Sequence, residues 1–95
     1  MNKQYIVEFT KFASKQLEKL PNPIRETVHK WIKSVELVGL SEVRKRKSYH
    51  DEPLKGSRHG QRSVRLNKAY RLFYEEFETG EIVLIGIKEI NKHEY

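Results

Sequence analysis

The chain has 95 residues, of which 37% are hydrophobic and 34% are charged, and it contains no cysteine. This length predicts a single domain, over residues 1–95, built around one hydrophobic core. The absence of cysteine excludes disulfides, thiolate metal sites and a cysteine nucleophile. No apolar run is long enough to cross a bilayer, so we expect a cytoplasmic protein without a membrane partner.

The N-terminal part of the chain predicts one strand followed by a helical hairpin. Residues 5–9 are rich in β-branched and aromatic side chains, which is typical of a short strand. Thr10 is a suitable N-cap for the helix that follows. Asn22 is expected to cap a second helix, which begins at Pro23 and ends at Gly39. Its apolar residues recur at helical spacing and predict one buried stripe: Ile24, Val28, Trp31, Ile32, Val35 and Val38.

The second half of the chain predicts a basic loop followed by three strands. Residues 41–60 are polar and are interrupted by proline and glycine, which is typical of a loop with only a short ordered piece. Three segments with strand character then follow, separated by turns: residues 63–66, 70–74 and 82–87. The element order β-α-α-β-β-β predicts an α+β fold, in which an antiparallel sheet carries the N-terminal helical hairpin on one face.

The other face of the sheet is expected to carry polar side chains. Alternation in the segment 63–66 places Val64 and Leu66 towards the core and Arg65 away from it. Arg71 lies on the next strand, whose facing the sequence leaves ambiguous. If the two faces agree, Arg65 and Arg71 are neighbours that can bind a phosphate and stabilise a phosphorane-like transition state. Taken alone, each arginine is more simply interpreted as an ordinary surface charge.

Positive charge is concentrated in the middle third of the chain. The net charge is +6, but residues 44–71 contain ten Lys/Arg against two acids, a net charge of +8, while the remainder carries −2. A focused basic surface attracts polyanions, although a merely solvated face has the same composition. The residues of this segment for which we expect RNA contacts are Arg44, Lys45, Arg46, Lys47, His50, Lys55, Arg58 and Arg62.

The chain also contains the acid and base groups that RNA cleavage without a metal requires. Nearby cations favour the ionised form of Glu52, which can then accept a proton or simply form a local ion pair. His93 and Tyr95 follow the last strand, and an accessible histidine is a natural general acid or base, unless the tail has no function. We find no Gly-rich phosphate loop and no metal cluster with usable spacing, so no cofactor or metal is expected.

Three consecutive segments resemble a known family: EPLKG at 52–56, GQRSVRLN at 60–67 and AYRLFY at 69–74. They are similar to the core signature of the RelE/ParE toxin superfamily, and particularly to its YoeB-like and HigB-like ribonuclease branches. The predicted element order also matches the fold of this superfamily, so the resemblance covers essentially the whole chain.

The resemblance implies the toxin of a type II toxin-antitoxin system, an endoribonuclease (mRNA interferase) that depends on the ribosome and cleaves mRNA in the A site. A cognate antitoxin is then the expected protein partner. The resemblance further implies that Glu52 is the general base, and that Arg65 and Arg71 bind and polarise the scissile phosphate. The basic loop at 44–47 is then expected to contact ribosomal RNA.

The C-terminal part of the resemblance is inexact. It implies that His93 and Tyr95 transfer protons and stack on an mRNA base, but in the YoeB-like pattern the histidine and tyrosine are adjacent, whereas one residue separates them here. HigB-like members place a histidine directly before the Pro-Leu-Lys-Gly block. Here Glu52 occupies that position and His50 lies two residues earlier, so His50 is a further candidate.

Two other functions remain open on the same fold. A ParE-like member inhibits DNA gyrase by binding and is not an enzyme, and a degenerate member only binds nucleic acid or an antitoxin. Glu52 in its Pro-Leu-Lys context, together with the terminal His93 and Tyr95, favours the ribonuclease.

Overall fold

The structure, a computed structural model, describes residues 3–92 of the chain. Its strands are β1 (Gln4–Phe9), β2 (Glu52–Pro53), β3 (Arg62–Arg65), β4 (Tyr70–Thr79) and β5 (Ile82–Lys92). Its helices are α1 (Lys11–Lys19), α2 (Asn22–Val38) and α3 (Leu40–Arg44). Within these residues, no helix combines the length and the apolar character that a membrane crossing needs.

The five strands form one mixed sheet in the order β1-β5-β4-β3-β2. All neighbouring strands are antiparallel except β1 and β5, which run parallel. The α+β fold with a helical hairpin on one face is confirmed, but the sheet differs from the purely antiparallel one that we expected. Parallel neighbours need a long crossover connection, and the helices that follow β1 provide the first part of it.

The hydrophobic core lies between the helices and one face of the sheet. The predicted stripe of α2 is buried at Ile24, Val28, Trp31 and Val35, whereas Val38 is 49% exposed because it is the last residue of the helix. The sheet contributes a matching set of buried side chains: Val64, Leu72, Tyr74, Val83, Ile85, Ile87 and Ile90.

The helix ends follow the predicted signals in most details. Thr10 caps α1 as expected, because its Oγ1 accepts a hydrogen bond from the Ala13 amide at 3.0 Å. Helix α2 ends at Gly39 as expected, but Pro21 takes the cap position and Asn22 is the first helical residue. Gly39 has φ 87°, and a Cβ at this position would lie 3.0 Å from the Tyr5 ring. Both the backbone conformation and the space beside it therefore require glycine.

The basic segment is more ordered than the loop we expected. Leu40 and Val43 are almost completely buried, which fixes the short helix α3 against the core. Strand β2 then adds Glu52 and Pro53 to the edge of the sheet beside β3. The sequence did not indicate these elements because α3 has one apolar pair and β2 has two residues, which is too little for a periodic pattern.

A bulge in β5 changes which of its side chains face the helices. The pairing of β4 with β5 shifts between residues 73 and 74, which leaves Lys88 as an extra residue. After this residue Ile90 is buried in the core, whereas before it the buried positions are odd-numbered: Val83, Ile85 and Ile87. The extra residue thus moves the alternation by one position, and Glu89 lies opposite Phe73 on the face away from the helices.

A buried polar network connects the basic segment to the core. The Asp51 side chain is 1% exposed and accepts hydrogen bonds from the Tyr74 hydroxyl at 2.7 Å and from Arg62 Nε at 2.6 Å. The same hydroxyl accepts a hydrogen bond from Arg44 Nε at 3.2 Å. The Tyr74 ring packs against Trp31, with ring centroids 5.2 Å apart. Burial of Tyr74, reinforced by its bond to Asp51, raises the pKa of this tyrosine well above its usual range.

Substitution of Gly39 tests the linkage between α2 and α3. We expect Gly39→Ala to lower the free energy of unfolding by roughly 2 kcal/mol or more, because alanine is strained at this φ and crowds Tyr5. Gly80→Ala is the matched control: it has φ 59° with no atom within 4 Å, so only a backbone cost of about 1 kcal/mol is expected. Equal effects of the two changes in urea unfolding would contradict the steric argument.

Removal of the Tyr74 hydroxyl tests the buried network. We expect Tyr74→Phe to lower the free energy of unfolding by about 1–3 kcal/mol, because Asp51 loses a buried donor. Tyr70→Phe, on the same strand and partly buried, is the control and should cost less than about 0.5 kcal/mol.

This cost should also depend on pH. Since the pKa of Tyr74 is raised in the folded state, the unfolded chain loses the phenol proton first. The contribution of the hydroxyl is therefore fully present below about pH 10 and declines above it. Unfolding measured at several pH values should show the difference between wild type and Tyr74→Phe shrinking above that value. A difference that grows there would contradict the network.

Candidate functional site

The face of the sheet turned away from the helices, here called the open face, collects most of the predicted catalytic residues. In the β3–β4 register, Arg65 lies opposite Arg71, and Ser63 lies opposite Phe73. Directly opposed residues share a face. Leu72, which lies between Arg71 and Phe73 on β4, is buried in the core beneath the helices, so its two neighbours on the strand point the other way. Arg71 therefore points away from the helices, which resolves the ambiguity that the sequence left.

Arg65 and Arg71 form a cationic row with Asn91, which is opposite Arg71 on β5. Arg71 Nη1 donates a hydrogen bond to the Ser63 hydroxyl at 3.2 Å, which holds its guanidinium in place. Between residues 3 and 92 no carboxylate forms an ion pair with either arginine. Two like charges directly opposite each other are unfavourable, so the pair is suited to an anion that neutralises both.

Glu52 reaches the same face from the edge of the sheet. It is opposite Ser63 in the β2–β3 register, and its side chain is half-exposed. A pocket of about 180 Å³ is lined by Glu52, Leu54, Ser63, Arg71 and Phe73. The structure thus brings together the predicted proton acceptor and one of the predicted phosphate-binding cations around a single opening.

His50 lies beside Glu52. Its Nε2 is 3.6 Å from a Glu52 carboxylate oxygen, and its backbone has φ 45°, an uncommon conformation for a residue other than glycine. His50 is therefore a neighbour of the candidate proton acceptor, and the structure does not place it against Arg71.

Arg58, another member of the basic segment, also lies over the open face. Its guanidinium carbon lies 4.4 Å from the centre of the Phe73 ring. Arg58 Nη2 donates to Glu89 at 2.5 Å, and Nη1 donates to Gln61 at 3.0 Å. Phe73 and Glu89 are opposite each other across β4 and β5, so the cluster lies beside the cationic row.

Besides Arg58, two of the expected RNA-binding arginines are used within the fold. Arg62 pairs with the buried Asp51 carboxylate. Arg44 pairs with Glu76 at 2.5 Å and with the Tyr74 hydroxyl. Burial lowers the pKa of Arg44, but these hydrogen bonds outweigh it and the net pKa is raised.

The other basic residues of the segment are more available. Arg46 donates to the Ser34 hydroxyl at 2.9 Å, and Lys45 lies 3.4 Å from Glu42 in an exposed pair that is worth little. Lys47 and Lys55 are exposed. These four side chains form a diffuse basic surface, whereas Arg65 and Arg71 form a defined site.

A second pocket, of about 310 Å³, lies on the helix side of β3 and β4. Its lining includes Arg44 and Arg62, whose carboxylate partners are Glu76 and Asp51. Since both of its arginines are already neutralised, this pocket is less suited to an anion than the one on the open face.

The predicted C-terminal residues His93 and Tyr95 lie outside the described residues, so their roles remain predictions. The sequence also missed three contributors to the open face: Ser63 as the partner of Arg71, Phe73 beneath the Arg58 guanidinium, and Glu89 opposite Phe73. Of these three residues, only Ser63 could have been assigned to the open face from the sequence, by the alternation of its strand. Phe73 has the character of a core residue, and the facing of Glu89 depends on the bulge at Lys88.

Known proteins are similar to this chain in structure, while comparisons of sequence find little. No protein-family model matches the sequence, and no curated protein is significantly similar to it. The YoeB/ParE toxin from Agrobacterium tumefaciens is 17% identical, with a TM-score of 0.73 over 94% of this chain and 99% of that one. A chain of the archaeal RelE-RelB complex from Pyrococcus horikoshii is 22% identical, with a TM-score of 0.70 over 94% of both chains.

A third similar structure has a higher sequence identity. A chain of the toxin-antitoxin complex RelBE2 from Mycobacterium tuberculosis is 27% identical, with a TM-score of 0.62 over 95% of this chain and 99% of that one. The three likenesses agree in fold and extend over nearly the whole length of every chain. The fold of this chain is therefore that of the RelE/ParE-like toxins.

Proposed function

We propose that this protein is the toxin of a type II toxin-antitoxin system, and that it is a metal-independent endoribonuclease which cleaves mRNA in the ribosomal A site. The observation that carries the proposal is the pocket on the open face, where Glu52 and Arg71 line one opening and Arg65 lies beside it. A cognate antitoxin is the proposed protein partner, since solved relatives include RelE-RelB, RelBE2 and YoeB-YefM complexes.

Cleavage begins at the 2′-hydroxyl of the nucleotide before the scissile bond. The Glu52 carboxylate accepts the hydroxyl proton, and the 2′-oxygen attacks the adjacent phosphorus. The bond from phosphorus to the 5′-oxygen of the next nucleotide then breaks, which leaves a 2′,3′-cyclic phosphate and a free 5′-hydroxyl. A half-exposed carboxylate that lines the pocket has the access that this proton transfer requires.

Arg65 and Arg71 stabilise the negative charge that builds up on the phosphoryl oxygens during this step. Preorganised cations stabilise the transition state more than the ground state when they are fixed before the substrate arrives. The hydrogen bond from Arg71 to Ser63 supplies such fixation. His93, by the resemblance stated above, donates the proton to the leaving 5′-oxygen, and Tyr95 stacks on a base.

Contacts with ribosomal RNA come from the exposed part of the basic segment. Lys45, Arg46, Lys47 and Lys55 keep their charge accessible to an RNA backbone. Arg44 and Arg62 contribute instead by holding this segment in place through their ion pairs.

Substitution of Arg71 tests the assignment of the phosphate site. We expect Arg71→Ala to reduce the rate of mRNA cleavage in translating ribosomes by about 100- to 1000-fold, the loss typical of one preorganised donor. Primer extension on a defined mRNA measures this rate. Lys11→Ala removes an exposed cation on α1, outside the site, and should leave the rate unchanged. Melting curves of both variants should match wild type.

The outcome also separates the ribonuclease from the gyrase inhibitor. Codon-phased cuts that disappear in Arg71→Ala support the proposal. Growth arrest without any cuts would reject it in favour of a ParE-like inhibitor, which a DNA supercoiling assay would detect. A variant that cleaves at the wild-type rate would show that Arg71 does not bind the scissile phosphate.

Replacement of Glu52 tests the proton acceptor. Glu52→Gln keeps the size of the side chain but cannot accept the proton, so we expect a loss of about 100-fold or more in the single-turnover rate on ribosomes. Glu42→Gln, which neutralises an exposed acid on α3, is the matched control. Wild-type cleavage by Glu52→Gln would move the role of base to another group, and His50→Gln would then be the next variant to measure.

A further inference from the structure

Phe73 is a buried aromatic residue on the open face, the side of the sheet away from the main core. It is 9% exposed, yet it is not part of the hydrophobic cluster beneath the helices. It points to the open face, opposite Ser63, and the guanidinium of Arg58 covers its ring at 4.4 Å. A hydrophobic ring on a catalytic face is thus capped by a planar cation.

The guanidinium of Arg58 is fixed at its edges as well as on one face. Nη2 is occupied by Glu89 and Nη1 by Gln61. The pair with Glu89 neutralises much of its charge, and because both Nη nitrogens already donate to protein groups, the guanidinium is poorly suited to bind a phosphate through two parallel hydrogen bonds. The side chain is nevertheless 37% exposed. What it offers to a ligand is therefore a flat surface, the face opposite the Phe73 ring.

This flat surface lies next to the proposed phosphate site. Phe73 lines the same pocket as Arg71 and is two residues further along β4, a distance of about 7 Å along a strand. RNA bases that are splayed out of a strand stack on aromatic rings or on guanidinium planes. A phosphate at Arg71 would bring a neighbouring base over Arg58.

We propose that the Arg58 guanidinium, held flat against Phe73, is a stacking platform for the base next to the phosphate that binds at Arg71. This inference rests on the proposed function for its substrate, single-stranded RNA, and adds a residue that positions the base. Since both Nη nitrogens already donate to protein acceptors, Arg58 recognises the base by its flat surface rather than by hydrogen bonds. Adenine, with the larger ring system, should therefore bind more tightly than uracil.

Binding of oligonucleotides that cannot be cleaved tests the platform without requiring catalysis. The probes are fluorescent 2′-O-methyl RNA pentamers that carry adenine, uracil or an abasic site at the central position. Fluorescence anisotropy at one fixed, low salt concentration measures their affinities. For wild type we expect adenine to bind more tightly than uracil, and the abasic pentamer to bind at least about fivefold more weakly than adenine, the lower end for one stacked base.

Arg58→Lys distinguishes stacking from simple charge. Lysine keeps the positive charge but has no planar group, so this variant should bind the three pentamers equally, with the affinity that wild type has for the abasic one. Arg25→Lys makes the same chemical change on α2, where the guanidinium donates to the Leu20 carbonyl instead, and should keep the wild-type preference. Thermal unfolding establishes that both variants are folded.

Two results would overturn the platform. The first is a wild-type protein that does not discriminate among the pentamers, whether it binds all of them or none. The second is an Arg58→Lys variant that keeps the wild-type preference, which would limit Arg58 to a structural role or place the base elsewhere. Because no cleavage is measured, failure of the ribonuclease proposal would be seen separately, as the absence of cuts in the primer-extension experiment.

Discussion

The hydrogen bond from the Tyr74 hydroxyl to the buried Asp51 carboxylate joins the core beneath the helices to the edge of the sheet that carries the candidate site. On one side the Tyr74 ring packs against Trp31 in the core beneath the helices. On the other, Asp51 immediately precedes Glu52, the candidate proton acceptor. Because the Asp51 side chain points towards the core, the side chain of Glu52, the next residue, points to the open face. A core residue thus determines where a residue of the pocket is placed.

The bulge at Lys88 has a comparable effect on the far side of the site. Without the extra residue, strict alternation would bury Glu89 under the helices and turn Ile90 outwards. With it, Ile90 completes the core while Glu89 and Asn91 join the open face. The extra residue thus turns to the open face both Glu89, whose carboxylate holds Arg58, and Asn91, which ends the cationic row.

The cations of the basic segment divide into two functional groups that composition could not separate. Arg44 and Arg62 are paired with carboxylates and hold the segment against the sheet, whereas Arg65 and Arg71 lie side by side without a carboxylate partner among residues 3–92. The charge that stabilises the fold is therefore distinct from the charge available to a ligand. Net charge alone predicts attraction to nucleic acid, but only the pairing of each cation shows which charges remain available to an anion.

The sequence by itself determined the elements whose signals are local. Thr10 as a cap, the apolar stripe of α2 apart from Val38, the stop at Gly39 and the facing of Val64 were correct, because each depends on residues that are close in the sequence. Only the tertiary structure decided the parallel pairing of β1 with β5, the facing of Arg71, and the capture of Arg44 and Arg62 by distant acids. These depend on register and on contacts between residues far apart in the chain, which residue type and spacing do not encode.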